Sequence, residues 1–157
     1  MQKGGEYSEY AARLEEMWEK KFALYFEFMF NKGDNEGLTH VQTVLLEYLL
    51  NNGNVTVSAV AEFMGVTMAA ASSLLDRLDK GGLLVRNRSD TDRRVVYASL
   101  TPLGREVIER FIVRRRSRLE MVIARMGHKH VMQYLEAQNS MLEALEDLIR
   151  EKEEQEA

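Results

Sequence analysis

Residues 56–82, "TVSAVAEFMGVTMAAASSLLDRLDKGG", constrain the fold more than any other stretch of this chain. Two apolar-periodic segments sit here, separated only by Gly65-Val66-Thr67. In the first, Val57 to Met64, the residues Val60, Ala61 and Met64 share one helical face. In the second, Met68 to Lys80, Ala71, Leu74, Leu75 and Leu78 do the same. Thr56 and Thr67 stand where N-cap oxygens are needed, and Gly81-Gly82 supplies the stop. Two short helices joined by a three-residue turn containing glycine form a helix-turn-helix. Many helical proteins contain such a corner. Here, however, "LLVRNR", "SDTD" and "RRVVYASL" come next, two β-prone runs around a polar turn. A hairpin directly after a helix-turn-helix is a wing. The expected fold is therefore mainly α with a small β-hairpin wing.

The flanks read as longer helices. Over residues 8–30, Tyr10, Leu14, Met17, Trp18, Leu24, Tyr25 and Phe28 recur at spacings of three and four, with Phe22, Phe26 and Phe30 as a second stripe. The later half is apolar nearly all round, as in helices buried on more than one side. "NKGDNEG" (31–37) breaks it. Thr39 and Gln42 have capping-box spacing and open a second helix, which "NNGN" (51–54) ends. Thr101-Pro102 opens a long helix with Thr as cap and the chain's only proline at the first helical position. "GHKH" (127–130) breaks it, leaving His128 and His130 in a loop. In the last helix Val131, Leu135, Gln138, Leu142, Leu145 and Ile149 approach a heptad seam, before a frayed acidic tail, "REKEEQEA". The first and last helices carry more apolar surface than one chain of 157 residues needs, so they read as a dimer seam. Residues 1–36 and 102–157 then form a helical dimerisation region, and 37–101 a winged helix-turn-helix lobe.

The net charge of −4 conceals an asymmetry. From Arg77 to Arg118 twelve basic residues face five acidic ones, so this block is +7 and the remainder −11. A basic block in an acidic chain points to one face for a polyanion. Within it, "RNRSDTDRR" (86–94) packs four arginines into nine positions. Exposed arginines on a hairpin tip can enter a minor groove or clasp phosphates, and an aspartate two residues away can orient a guanidinium. The chain has no cysteine, which removes disulfides and thiolate metal sites. The histidine spacing does not support a metal site. Nucleophile-elbow, phosphate-loop, dinucleotide and zinc-protease motifs are absent, so the expectation is a non-enzyme without cofactor or metal. No leader or membrane-length apolar run is visible, and the expected location is the cytoplasm.

"LTHVQ", "TVSAVAEFMGVT", "LLDRLDKGGLLVRN" and "DTDRRVVYASLTPLG" together resemble the MarR-type winged-helix transcription regulators. The likeness covers about residues 38–105 in detail. It implies that Asp92 braces and Arg94 reaches the minor groove, and that Arg77 touches phosphate or a base edge. It also implies a homodimer built from both chain ends, presenting two reading helices to a palindromic site about one DNA turn, roughly 34 Å, apart. Such proteins commonly bind small phenolic or lipophilic effectors. Here "WEKKFALYFEFMF" with Tyr48 offers Trp18, Phe22, Tyr25, Phe26 and Tyr48 as lining, although aromatic stripes at this spacing are more often core.

The expected DNA-binding set is Thr67, Met68, Ala69, Ala70, Ser72, Ser73, Arg77 and Lys80 on or beside the reading helix, and Arg86, Arg88, Asp92, Arg93 and Arg94 in the wing. Arg77, Lys80, Arg86, Arg88 and Arg93 are assigned to phosphates. The helix departs from its relatives, which often carry longer polar groups. Met, Ala and Ser cannot form bidentate bonds to guanine or adenine, so selectivity is expected to lean on the wing, Arg77 and DNA shape. "RRRSR" (114–118) reads as a solvated or intramolecular ion-pairing face against Glu143, Glu146 and Asp147, the alternative being an extension of the phosphate-binding face. The functional expectation is a ligand-responsive repressor of transcription that binds double-stranded DNA as a homodimer. The rival is a helical adaptor that keeps the scaffold without binding DNA.

Overall fold

The computed structural model describes residues 3–30, 37–89, 91–92 and 94–156. They form helices α1 (Lys3–Met29), α2 (His40–Asn52), α3 (Val57–Met64), α4 (Met68–Lys80), α5 (Pro102–Met126) and α6 (His128–Glu156), with strands β1 (Val55–Thr56), β2 (Leu84–Arg88) and β3 (Val96–Leu100). The chain divides into two compact units, Met1–Arg115 and Arg116–Ala157, so the boundary falls inside α5.

Threonine opens four of the helices. Thr39 accepts from the Gln42 N–H while the Gln42 side chain accepts from the Thr39 N–H, a complete capping box. Thr56 caps α3 and Thr67 caps α4, each by accepting from the backbone N–H three residues on. Thr101 does the same for α5 with the Gly104 N–H at 2.9 Å. Gly65, in the left-handed region at φ 62°, ends α3, and the chain turns by 108° before α4. That angle belongs to a helix-turn-helix corner. It also separates the one pair of helices apolar enough to approach a membrane span; among the described residues no single helix is long and apolar enough to cross one.

The first unit has one core. Leu45, Leu46 and Leu49 of α2, Val57 and Val60 of α3, and Ala71, Leu75 and Leu78 of α4 meet Leu84, Ala98, Val107, Ile108 and Phe111. These are the inward positions that the periodicity of α3 and α4 marks, except that Leu74 and Met64 are only partly buried. The wing is a three-stranded antiparallel sheet in the order β1-β3-β2. Arg86 faces Ala98 across β2–β3, and Val55 faces Ala98 from the other side. β1 has no counterpart in the sequence-based expectation: two residues carry no alternation, and only the approach of β3 makes them a strand.

Three expectations about the helical ends are corrected. α1 begins at Lys3, five residues early, running through Gly4-Gly5. The acidic tail is helical to Glu156, supported by Arg150–Asp147 and Lys152–Glu156 pairs at helical spacing. His128 and His130 lie in the first turn of α6, because Gly127 alone makes the break. Gly127 adopts φ 77°, donates to the Ile123 carbonyl and accepts from the Val131 N–H. It thus closes α5 and opens α6 at once. His130 Nδ1 lies 3.0 Å from the carbonyl oxygen of Met126, satisfying an end-of-helix acceptor.

Candidate nucleic-acid interface

Thr67, Met68, Ala69, Ala70 and Ser73 are exposed on the first two turns of α4, as are Arg77 and Lys80 further along. Beside them lies an open groove of about 250 Å³. Met68 and Ser72 of α4, Arg86, Arg94 and Val96 of the wing, and Thr56 and Ser58 at the start of α3 line it. Sequence reasoning missed Thr56 and Ser58 as members of this surface. Their proximity to Arg94 depends on β1 pairing with β3, which the sequence did not reveal.

The wing is held from both ends. At its tip Asp92 Oδ1 accepts from the Arg94 backbone N–H at 2.9 Å, and Ser89 Oγ accepts from the N–H groups of Thr91 and Asp92. The bracing by Asp92 therefore acts on the backbone, leaving the exposed Arg94 side chain at the groove. At its base Thr101 Oγ1 donates to the Gly82 carbonyl at 2.7 Å, and the Thr101 N–H donates to the Leu83 carbonyl at 3.1 Å. Gly104 presses against this turn. A Cβ there would sit 1.8 Å from the Leu83 carbonyl oxygen, so no side chain fits.

Arg86 takes a different place from the expected one. Its guanidinium pairs with Asp76 of α4 and donates to Ser72 Oγ at 3.3 Å. Only 22% of its side chain is exposed, against 51% for Asp76. It ties the wing to α4 instead of standing free for a phosphate. Arg88 is exposed at the outer end of β2. Arg93 lies outside the described residues.

Within "RRRSR", Arg115 makes an intramolecular ion pair, but with an acid other than the three expected. Arg115 donates to both carboxylate oxygens of Glu47 in α2, at 2.7 Å each, and lies 5.7 Å from the Phe111 ring centre. The bond from Glu47 pushes the Arg115 guanidinium further above its ordinary range, against the opposing effect of burial. Asp147 pairs with Arg150 within its own helix. Helical spacing places these arginines on a face but does not reveal which distant acid meets it.

The expected effector lining is not gathered in one place. Tyr48 stacks on Phe63 of α3 with ring centres 3.9 Å apart. Phe26 and Phe30 meet His40 edge-on at 5.0 and 5.2 Å, and Phe30 reaches Phe111. Trp18 and Phe22 stay 38% and 56% exposed, and Tyr25 is half-buried against Phe26. The groove beside α4 does not include them, nor does a second one of about 360 Å³ along α5, lined by Glu106, Glu109, Arg110, Val113 and Arg114. Among the described residues no group of three or more His, Asp or Glu side chains could hold a metal ion.

A helix-turn-helix whose second helix stands beside an arginine-bearing three-stranded wing defines the winged-helix class of nucleic-acid-binding proteins. Residues 36–95 match the family model described as "MarR family". The chain is 29% identical over 105 residues to the transcriptional repressor MdtR of Bacillus subtilis, covering 67% of this chain and 68% of that one. Across the curated relatives the matched stretches span from 41% to 68% of the relative's length. A MarR family protein from Bacillus stearothermophilus superposes with TM-score 0.75 at 23% identity, covering 88% of this chain and 96% of the other. Streptococcus pneumoniae FabT, solved in complex with DNA, superposes with TM-score 0.70 at 21% identity, covering 90% and 99%. These two likenesses show the fold. Over residues 36–95 the chain is thus similar to the MarR family, and the curated relatives it matches include transcriptional regulators and a repressor.

Proposed function

We propose that this chain represses transcription by binding double-stranded DNA as a homodimer on a palindromic site. Residues 37–101 are the DNA-binding lobe, and 1–36 with 102–157 the dimerisation region. One observation carries the reading: the exposed start of α4, the start of α3 and the wing residue Arg94 line a single open groove. In this reading α4 enters the major groove and Arg94 the minor groove. Arg77, Lys80, Arg88 and Arg93 hold phosphates, while Arg86 sets the wing's position. The repressor role takes its support from MdtR, itself a repressor, and DNA as partner from FabT, solved on DNA.

The dimer is supported by unpartnered apolar faces. Tyr7, Tyr10, Leu14 and Met17 of α1 are exposed, as are Leu135, Leu142, Leu145 and Ile149 of α6. Among the described residues none of α6 is buried. Surfaces of this extent mark association sites. Trp18 and Phe22, both exposed on α1, are the side chains a small aromatic or lipophilic effector would meet. It regulates only if it binds DNA-competent and incompetent states with different affinity.

A salt titration of binding to random duplex DNA tests the core of the proposal. Eight phosphate contacts from a dimer predict a loss of affinity on the order of ten-thousandfold between about 50 and 200 mM salt. No binding at low salt would leave the adaptor reading in its place.

A further inference from the structure

We infer that α4 selects its site through the 5-methyl groups of thymines, with Met68 as the specificity-determining residue. The inference rests on the DNA-binding reading and deepens it. Ser72 and Asp76 are the polar side chains nearest the start of α4 that face the wing, and Arg86 engages both. The Ser72 oxygen receives a guanidinium N–H from Arg86, which occupies one of its two acceptor positions and holds the side chain toward the wing. Arg86, among the described residues the one long donor lining the groove beside α4 apart from Arg94, is turned inward by the same contacts. What remains outward over two turns is Met68, Ala69, Ala70 and the Ser73 hydroxyl.

Met68 is the large group in that set. It is 53% exposed, and it lines the same groove as Arg94. A thioether without a strong donor or acceptor reads none of the hydrogen-bonding patterns of the major groove. The one base feature there that it complements is the thymine methyl. Met is also flexible and polarizable enough to seat on a methyl without fixed geometry. Ser73 can bond several bases and so adds little discrimination. An apolar reading head beside a tightly fixed wing thus predicts a half-site with thymine beneath Met68.

The test uses two random duplex pools of identical design, one synthesised with thymine and one with uracil throughout. Uracil pairs as thymine does and lacks only the methyl. The full chain should bind the thymine pool more tightly after selection. Each buried methyl should contribute about fourfold in Kd, hence roughly fifteenfold for two half-sites. Replacing thymine by uracil at single positions of a selected duplex should locate the effect at one symmetric pair. Met68→Ala, at an exposed position, should bring the thymine-to-uracil ratio close to one while keeping the salt slope. Arg94→Ala should lower affinity for both duplexes and keep the ratio. Equal binding of both duplexes within twofold, or a ratio unchanged by Met68→Ala, overturns the inference while leaving DNA binding intact. Failure to bind either pool at low salt overturns the DNA-binding reading and this inference with it.

Discussion

Arg86 of β2 closes an ion pair with Asp76 of α4, and so the wing and the reading helix are tied directly to one another. Through Ser72 the same guanidinium reaches one turn further toward the helix start. The angle between a helix seated in one groove and a hairpin seated in the next is thereby set before any DNA arrives. Such pre-organisation removes an ordering cost from binding.

Removing this tie should therefore cost more in recognition than in stability. Arg86→Ala is expected to lower unfolding free energy by about 1 kcal/mol, since Asp76 is half exposed. Affinity for a selected site should fall further than affinity for random duplex. Urea denaturation and paired binding titrations measure the two effects.

Arg94 should behave as a contact to DNA rather than to protein. Arg94→Ala should leave the urea midpoint unchanged within error and lower affinity for duplex DNA, while Arg88→Ala, a proposed phosphate contact, should reduce the salt slope of the proposed dimer by about two, one contact per subunit. Asp92→Ala should weaken binding through the tip, because it removes the acceptor that holds the Arg94 backbone N–H.

Gly104→Ala is expected to destabilise by more than the usual ~1–3 kcal/mol of overpacking. The new methyl meets backbone at Leu83, which cannot rotate away. A thermal melt of Gly104→Ala beside Arg105→Ala, an exposed neighbour in the same turn, separates this clash from any effect of helix propensity.

The Glu47–Arg115 pair joins α2 to α5, with about a third of each side chain exposed. Glu47→Gln should destabilise by about 1–2 kcal/mol, a figure already reduced for partial solvent screening. The sign of the pH dependence is set by Arg115, whose folded-state pKa is raised. Its contribution is fully present at neutral pH and is lost only in strong alkali. Denaturation between pH 7 and 9 should accordingly show no loss traceable to Arg115.

If the proposed dimer forms through α6, substituting its exposed apolar face should dissociate it without unfolding the first unit. Leu142→Glu with Ile149→Glu should shift sedimentation at micromolar concentration toward monomer and retain the helical circular dichroism signal. A wild-type chain that sediments as a monomer under these conditions would remove the two-fold operator model altogether.

Local chemistry was legible in the sequence. Thr39, Thr56, Thr67 and Thr101 announced where helices begin, because an N-cap is decided within four residues. The wing was legible because a hairpin's two strands adjoin in sequence. Partner choice over distance was not. Arg115 is 68 residues from Glu47, and nothing in "RRRSR" distinguishes that acid from those of α6. Arg86 looked like its neighbours Arg88 and Arg94 until packing placed Asp76 beside it. Tyr48 was grouped with the aromatics of α1, yet its ring stacks on Phe63 of α3 instead. Gly104 was visible as part of "TPLG", but the reason for it lies in a carbonyl twenty-one residues upstream.

Gly127 has a wider effect than its size suggests. One residue in the left-handed region both finishes α5 and starts α6. Each residue added to a helix rotates all later side chains by about 100° around its axis. A single insertion or deletion at this corner would therefore spin the Leu142 and Ile149 stripe a quarter turn or more, with every side chain unchanged. In the proposed homodimer a chain so altered would present a mismatched face to a wild-type partner. The corner works as a rotational phase setting, and relatives that differ in its length would be poor at exchanging subunits.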